Sequence, residues 1–337
     1  MQTHLISPIL RVTLPLAVVL CCLAAGGCGS EKQEFQPLEA VPYETESWSY
    51  RDRLARMLKT EHYRIYTTLR DERLLATLPQ MMESAFAYYR LLIPTAHEPA
   101  EPMNIYLFAG RADWADFTRR FAGPRARKFL QIRQGGYSLR GVSVIEFAAY
   151  QTTFPIMVHE GFHQYLHHCV DSPAPAWLNE GLAVFCEGQR WDDQGLESFD
   201  PWHNPARRNA LAEAMVRSEM LPLSELLRIN AGHVVGGPSR KIGTYYSQVW
   251  ALMLFLREGL DGKYAESFAH LLEELGAGNV EHYAQAAHAM SERREFNLGE
   301  ALFRSFISED LETFESEFED FVRERMIGGR GRMIPRL

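Results

Sequence analysis

Two histidines four residues apart constrain this chain more than any other feature. His159 and His163 lie in an apolar stretch, 153–168, whose composition favours a buried helix. Four residues span about 6 Å along a helix and about one turn, so both imidazoles project from one face at a separation that suits a metal ion. Glu160 follows the first histidine and is placed to accept a proton from water at that metal. The alternative is a core helix whose histidines are only hydrogen-bonded.

A second apolar segment, residues 175–185, contains a single carboxylate, Glu180. A lone buried carboxylate is costly unless it is paired or bound to metal, so Glu180 is the candidate third ligand. An ion pair with an arginine is the alternative. Gly161 and Gly181 lie beside the candidate ligands, although glycine inside a helix costs about 1 kcal/mol. They predict that another helix approaches closely at each position.

The two motifs together resemble a known group of enzymes. HEGFH followed by WLNEGLA is similar to the gluzincin metallopeptidases, and more narrowly to the peptidase MA-like proteins of bacteria, whose signature is HExxH with a downstream Trp-Leu-x-Glu-Gly-Leu-Ala. The likeness is closest over residues 150–190 and looser over about 60–325. The metzincin pattern fits poorly, because it would place glycine at Leu166 and histidine at Cys169.

The resemblance implies both a site and a fold. It implies that His159, His163 and Glu180 bind one Zn²⁺ ion and that Glu160 is the general base. The implied fold is zincin-like, with a small mixed sheet followed by the HExxH helix, the glutamate-ligand helix and a mainly helical C-terminal part. The strand nearest the cleft, which we place at 141–147, is then able to pair with an extended peptide substrate.

A tyrosine completes the implied site. MA-like proteins carry a tyrosine ahead of a glutamine in a segment like 244–252, and Tyr246 occupies that position, with Tyr245 as the second candidate. A phenol aimed at the oxyanion of peptide hydrolysis would assist the metal. The alternative is a tyrosine that packs on the core at a helix start. One departure concerns the imidazoles, because some gluzincins carry an acidic residue one turn after the glutamate ligand, where this chain has Val184.

The residue pattern before the HExxH helix independently indicates an α+β fold. It predicts strands at 62–69, 103–109 and 137–147 and a helix at 71–93. Later segments are helical by pattern at 210–229, 264–275, 280–290, 298–306 and 311–326. Two stretches, 189–208 and 230–243, are predicted to be surface loops, and His233 in the second is interpreted as a solvent-facing histidine rather than a substrate contact.

The N-terminus has the features of an export signal. An apolar run at 12–25 is too short to span a bilayer comfortably, and Cys28 after small residues resembles a bacterial lipobox. We therefore expect a lipoprotein-type signal peptide at 1–27 and lipidation of Cys28. Cleavage near Ala25 without a lipid is the second hypothesis, and an uncleaved anchor is the third.

Three further regions follow the signal peptide. Residues 28–50 are predicted to be a polar tether, 51–327 the metallopeptidase domain, and 328–337 a disordered tail. Loss of residues 1–27 removes Arg11 and changes the formal charge from −8 to −9, which favours no nucleic-acid partner. Cys169 and Cys186 are expected to be about 18 Å apart on antiparallel helices, too far for a disulfide.

The sequence therefore predicts zinc-dependent hydrolysis of peptide bonds at the cell envelope, with a peptide or protein as substrate and a membrane anchor at Cys28. Glu160 favours catalysis, because a structural zinc site needs no base. One alternative is a non-catalytic, zinc-bearing surface or binding lipoprotein on a peptidase-like scaffold. Another is a processing or adhesion role in which the helix only holds the core together.

Overall fold

A computed structural model describes most of the chain after the N-terminal segment. The described residues are 35–193, 195–229, 239–283 and 297–327. All of them belong to one compact unit. The predicted signal peptide, Cys28, His233 and the predicted tail lie outside the described residues. Within the described residues, no helix has the length and apolar character needed to cross a membrane.

A six-stranded mixed sheet forms the first part of the fold. Its strands are β1 (Glu44–Tyr50), β2 (Arg53–Lys59), β3 (Tyr63–Thr67), β4 (Met103–Phe108), β5 (Gly136–Leu139) and β6 (Val142–Glu146). The spatial order is β1-β2-β3-β4-β6-β5. β3, β4 and β6 are parallel, whereas β1, β2 and β5 each run antiparallel to their neighbours. The sheet therefore has β1 and β5 as its edges.

Helices connect and cover the strands, and they make up most of the later chain. They are α1 (Glu72–Leu92), α2 (Arg111–Ala122), α3 (Ala126–Phe129), α4 (Tyr150–Cys169), α5 (Ala176–Cys186), α6 (Pro205–Val216), α7 (Leu223–Arg228), α8 (Ser239–Glu258), α9 (Ala265–Gly276), α10 (Leu298–Phe306) and α11 (Leu311–Phe321). A two-stranded hairpin, β7 (Gln189–Asp192) and β8 (Gly195–Phe199), lies between α5 and α6. The predicted α+β class is confirmed.

Apolar residues alternate along the central strands and separate the two faces of the sheet. Ile65, Ile105 and Ile145 belong to the large core with α1, α4 and α5. The opposite face forms a smaller aromatic core around Phe108 and Trp114 of α2. This alternation is the period of two expected of strands that are buried on both faces. It places α4 against the sheet on the side of the large core.

The two predicted helix approaches are confirmed. A Cβ atom on Gly161 would lie 2.8 Å from Met82 Cε and 2.9 Å from Tyr89 Oη, both on α1. A Cβ atom on Gly181 would lie 3.0 Å from Met253 of α8. A side chain at either position would crowd these neighbours, so glycine lets α4 and α5 pack tightly on them.

Several predicted boundaries differ from the structure. The predicted tether ends at residue 50, but β1 already begins at Glu44, where an exposed edge strand has a polar composition. The segment 189–208, predicted as a loop, instead contains the β7–β8 hairpin and the start of α6. Short strands and a helix that begins at a proline leave little periodicity to detect.

The predicted substrate-pairing strand is also corrected. Residues 137–147 form two antiparallel strands rather than one, with a turn in which Arg140 and Gly141 have φ of 53° and 70°. β6, which covers most of 141–147, lies between β4 and β5, so both of its sides are paired. The edge strand is β5, because strand order depends on tertiary contacts that no local pattern reveals.

Candidate metal centre

The three predicted metal ligands converge in the structure. His159 and His163 project from α4, and Glu180 projects from α5. The two Nε2 atoms are 3.2 Å apart, and Glu180 Oε2 is 3.4 Å from the first and 3.5 Å from the second. Ligand atoms at about 2.0–2.1 Å from a tetrahedral zinc ion are about 3.3 Å from one another. The group therefore has the spacing of three ligands to one ion, and it could hold a metal ion.

Hydrogen bonds on the far side of each ring determine which atoms face the centre. His159 Nδ1 lies 3.0 Å from Glu187 Oε1, and His163 Nδ1 lies 2.8 Å from Asn179 Oδ1. Both partners are acceptors, so each Nδ1 carries a hydrogen and each Nε2 of a neutral ring presents a lone pair. Glu180 Oε2 is buried and has no hydrogen-bond partner among the described residues. Three acceptors that face one another repel unless a metal ion or protons lie between them.

The partner of His159 is a buried, charged network. Glu187 Oε1 accepts from Arg207 Nη2 at 2.8 Å, while Glu187 Oε2 accepts from Arg207 Nε at 3.1 Å and from Asn204 Nδ2 at 2.9 Å. Asn204 also caps α6 by accepting from the backbone N–H of Arg207. The network thus holds the carboxylate in one orientation against the imidazole.

This network was missed by reasoning from the sequence. Glu187 lies seven residues after Glu180, two helical turns rather than the one turn at which the chain has Val184. Two turns bring a residue back to nearly the same side of a helix, so the spacing was a usable signal. Asn204 and Arg207 showed no such sequence signal, since they lie in the segment predicted to be a loop. The acidic residue that orients His159 is therefore present, one turn later than expected.

The pKa values of the three candidate ligands are shifted in directions that favour positive charge at the site. Burial alone lowers the pKa of His159, but contacts with Glu180 and Glu187 outweigh burial and raise this pKa to about 10. Burial also lowers the pKa of His163, but the Glu180 carboxylate outweighs burial and raises this pKa. Although burial raises the pKa of Glu180, the two imidazoles outweigh burial and hold it well below its usual range. Without metal, the three groups thus share protons at neutral pH.

Glu160 lies next to this group on α4. It is buried, and burial raises the pKa of its carboxyl group. Ser143 Oγ donates to the Glu160 carbonyl oxygen at 3.2 Å and joins this turn of α4 to β6. The Glu160 carboxylate makes no hydrogen bond with another described residue, so no such bond competes with proton transfer.

Tyr246 also belongs to the site. Its ring centroid is 6.0 Å from that of His159, and Arg207 lies over the same ring at 5.0 Å. Burial raises the pKa of Tyr246 well above its usual value, so its hydroxyl stays protonated and can donate. Tyr245 is 1% exposed, and its hydroxyl has no hydrogen-bond partner within the described ranges. Tyr246, which is only partly buried, is therefore better placed to contact a substrate.

The two cysteines beyond the ligand helices take no part in the site. Cys169 and Cys186 are both buried with free thiols. Burial raises the pKa of each thiol, so both are inert apolar side chains rather than nucleophiles or metal ligands.

Comparison with known proteins does not assign this chain to a family. A scan against models of protein families found no match. A search of curated proteins also found no similar sequence. The resemblance to gluzincins therefore rests on the HEGFH and WLNEGLA residues themselves.

Proposed function

We propose that this protein is a zinc metallopeptidase of the gluzincin type, with a zincin-like fold. The observation that carries the proposal is the convergence of three acceptors, His159 Nε2, His163 Nε2 and Glu180 Oε2, within 3.5 Å of one another. Two imidazoles and one carboxylate are a typical ligand set of catalytic zinc, whereas structural zinc sites usually have four protein ligands. Among the described residues, the group has three members.

The chain's own residues divide the chemistry between them. When bound, zinc polarises a substrate carbonyl and acidifies water at the site. Glu160 accepts the proton of the attacking water and returns it to the leaving amine, a role that its raised pKa suits. Tyr246 donates a hydrogen bond to the oxygen that becomes negative. Glu187 and Asn179 keep the two imidazoles in the orientation that presents Nε2.

The edge strand β5 is the proposed place for the substrate backbone. No described strand pairs with its outer side, so its free N–H and C=O groups are available to an extended peptide. β5 also contacts α4, which carries two of the three ligands. For location, we propose export to the cell envelope with a lipid on Cys28, on the sequence signals alone.

Hydrolysis of unstructured protein tests this function. The parent protein and its Glu160→Gln variant are loaded with zinc and incubated with casein and with a mixed-peptide digest. The proposal expects both proteins to hold about one zinc ion and only the parent to cleave, with new N-termini detected by mass spectrometry. If both bind zinc and neither cleaves, the peptidase proposal is wrong and a non-catalytic binding protein is favoured.

A further inference from the structure

Positive charge is concentrated in one run of this acidic chain. Residues 117–145 contain no Asp or Glu and seven basic residues: Arg119, Arg120, Arg125, Arg127, Lys128, Arg133 and Arg140. Because 28 of the 35 Lys and Arg and all 43 Asp and Glu lie outside this run, the rest of the chain has a formal charge of −15. The contrast in charge between the run and the remainder is therefore large.

The basic run surrounds the edge strand β5. Phe129 of α3 stacks on Tyr137 of β5, with ring centroids 4.0 Å apart and planes 16° from parallel, so α3 is attached to this strand. Arg133 lies three residues before β5, and Arg140 lies in the turn directly after it. We call Arg125, Arg127, Arg133 and Arg140, all of which are exposed, the cationic rim.

No carboxylate in the described ranges pairs with the cationic rim. Among the described residues, none of the four guanidinium groups has a hydrogen bond or an ion pair. The acidic residues that flank the run have other partners: Asp116 pairs with Arg120 at 2.7 Å, and Glu146 pairs with Arg111 at 2.9 Å. The rim thus presents open positive charge to any molecule that approaches β5.

β5 and its two ends run beside the part of α4 that carries the metal ligands. At one end, a Cβ atom on Gly135 would lie 3.5 Å from Ile156 Cδ1. At the other end, His168 Nε2 lies 3.0 Å from the carbonyl oxygen of Gly141. Between Ile156 and His168, α4 contains both metal-binding histidines. A polypeptide on the outer side of β5 would therefore lie along the site, with the rim at its two ends.

We propose that the cationic rim selects acidic polypeptides as substrates, with Asp and Glu residues on either side of the segment that pairs with β5. This inference rests on the proposed peptidase function. A polypeptide is favoured over other polyanions because the free backbone of β5 lies between the arginines, and backbone pairing is specific to peptides. Opposite charges raise the association rate and the local substrate concentration, and both effects decrease with salt.

Three fluorogenic peptide libraries test the proposal. Each has the same randomised centre, and its flanks are three Glu, three Gln or three Lys residues. We expect the zinc-loaded parent to cleave the Glu-flanked library with kcat/KM about tenfold above the Gln-flanked one. This ratio should fall towards one in the triple variant Arg127→Gln, Arg133→Gln and Arg140→Gln, and also at high salt in the parent.

A matched control removes three cations elsewhere on the surface. It combines Lys59→Gln, Arg217→Gln and Arg323→Gln, which lie on β2, at the end of α6 and beyond α11. The control should keep the tenfold ratio. An equal decrease of this ratio in both triple variants would overturn the role of the cationic rim and leave only an effect of net charge.

Binding separates this inference from the peptidase function. The zinc-loaded Glu160→Gln variant, with and without the rim substitutions, is titrated with the labelled libraries in an anisotropy assay. Cleavage of all three libraries at equal rates keeps the peptidase function and overturns the rim. Absence of cleavage with rim-dependent binding of the Glu-flanked library overturns the peptidase function and supports the acid-binding surface. Rim-dependent binding to phosphatidylglycerol vesicles without binding to acidic peptides overturns the polypeptide assignment.

Discussion

The two histidines of the candidate metal centre lie on one helix but are held in different ways. His159 faces a buried carboxylate, Glu187, which is itself fixed by the guanidinium of Arg207. His163 faces the neutral amide of Asn179, at the residue directly before the third ligand. The first arrangement joins α4, the C-terminal end of α5 and the start of α6, whereas the second joins α4 and α5 alone.

The two histidines therefore depend on partners of different strength, a buried ion pair for His159 and a neutral amide for His163. A carboxylate partner increases the basicity of an imidazole more than an amide does, and a buried ion pair is costly to break. Arg207 also lies over the ring of Tyr246, so the charged side connects a ligand with the proposed oxyanion donor. We therefore expect substitutions on the His159 side to have larger effects than those on the His163 side.

Loss of the Glu187 carboxylate should have the largest effect. Glu187→Gln leaves Arg207 without its counter-charge and weakens the partner of His159. We expect zinc affinity to fall about 100-fold and the free energy of unfolding of the metal-free protein to fall by about 2 kcal/mol. Competition with a chromophoric chelator and urea denaturation measure these quantities. The exposed Glu213→Gln variant on α6 is the control, and parent-like affinity in Glu187→Gln would contradict the role of the network.

Removal of the Tyr246 hydroxyl should act on catalysis alone. For Tyr246→Phe we expect kcat on a cleaved peptide to fall on the order of 100-fold, with zinc affinity within about twofold of the parent. Tyr245→Phe is the matched control. Because the Tyr245 hydroxyl is buried without a partner, its removal should leave kcat unchanged and stabilise the fold by up to about 1 kcal/mol. Equal kcat losses in both variants would reject Tyr246 as the specific donor.

The His163 side should be less sensitive. Asn179→Ala removes a neutral acceptor, and we expect zinc affinity to fall about tenfold, at the lower limit for such partners. Asn179→Asp gives His163 a carboxylate like that of His159, and it should bind zinc at least as tightly as the parent. The same chelator competition measures both variants. A larger loss in Asn179→Ala than in Glu187→Gln would invert the comparison.

The pH dependence of zinc binding should show the smallest difference, that between the parent and Glu187→Gln. The pKa of His159 is raised to about 10, so this ring carries an extra proton in the metal-free protein at pH 7, and the raised pKa of His163 favours protonation of the second ring. Zinc must displace these protons, so its affinity should rise with pH between 6 and 8, by about tenfold per pH unit for each proton displaced. Calorimetry in buffers of different ionisation enthalpy measures the released protons. The slope should be smaller in Glu187→Gln, where His159 loses its strongest neighbour, and a flat profile in the parent would contradict proton displacement.

The parts of the molecule that the sequence predicts are those with strong local patterns. The apolar runs around His159 and Glu180 identify α4 and α5. Helical spacing brings His159 and His163 to one face of α4, and Glu180 is recognised as the single carboxylate of its apolar segment. The pairing of Glu187 with Arg207 could not be read in the same way, since it joins residues on two elements through tertiary contact. The same holds for the position of β5 at the edge, which depends on strand order. β1 was missed because an edge strand with one solvated face resembles a polar linker.

The zinc content of the parent and of Glu180→Gln tests the central claim most directly. In the parent, three acceptors converge on one point, and we expect about one zinc ion per chain after dialysis, measured by inductively coupled plasma mass spectrometry. The neutral glutamine amide is a poor ligand for zinc, so the variant should lose the ion while remaining folded. Equal zinc content in the two proteins, or no zinc in the parent, would contradict the metal centre.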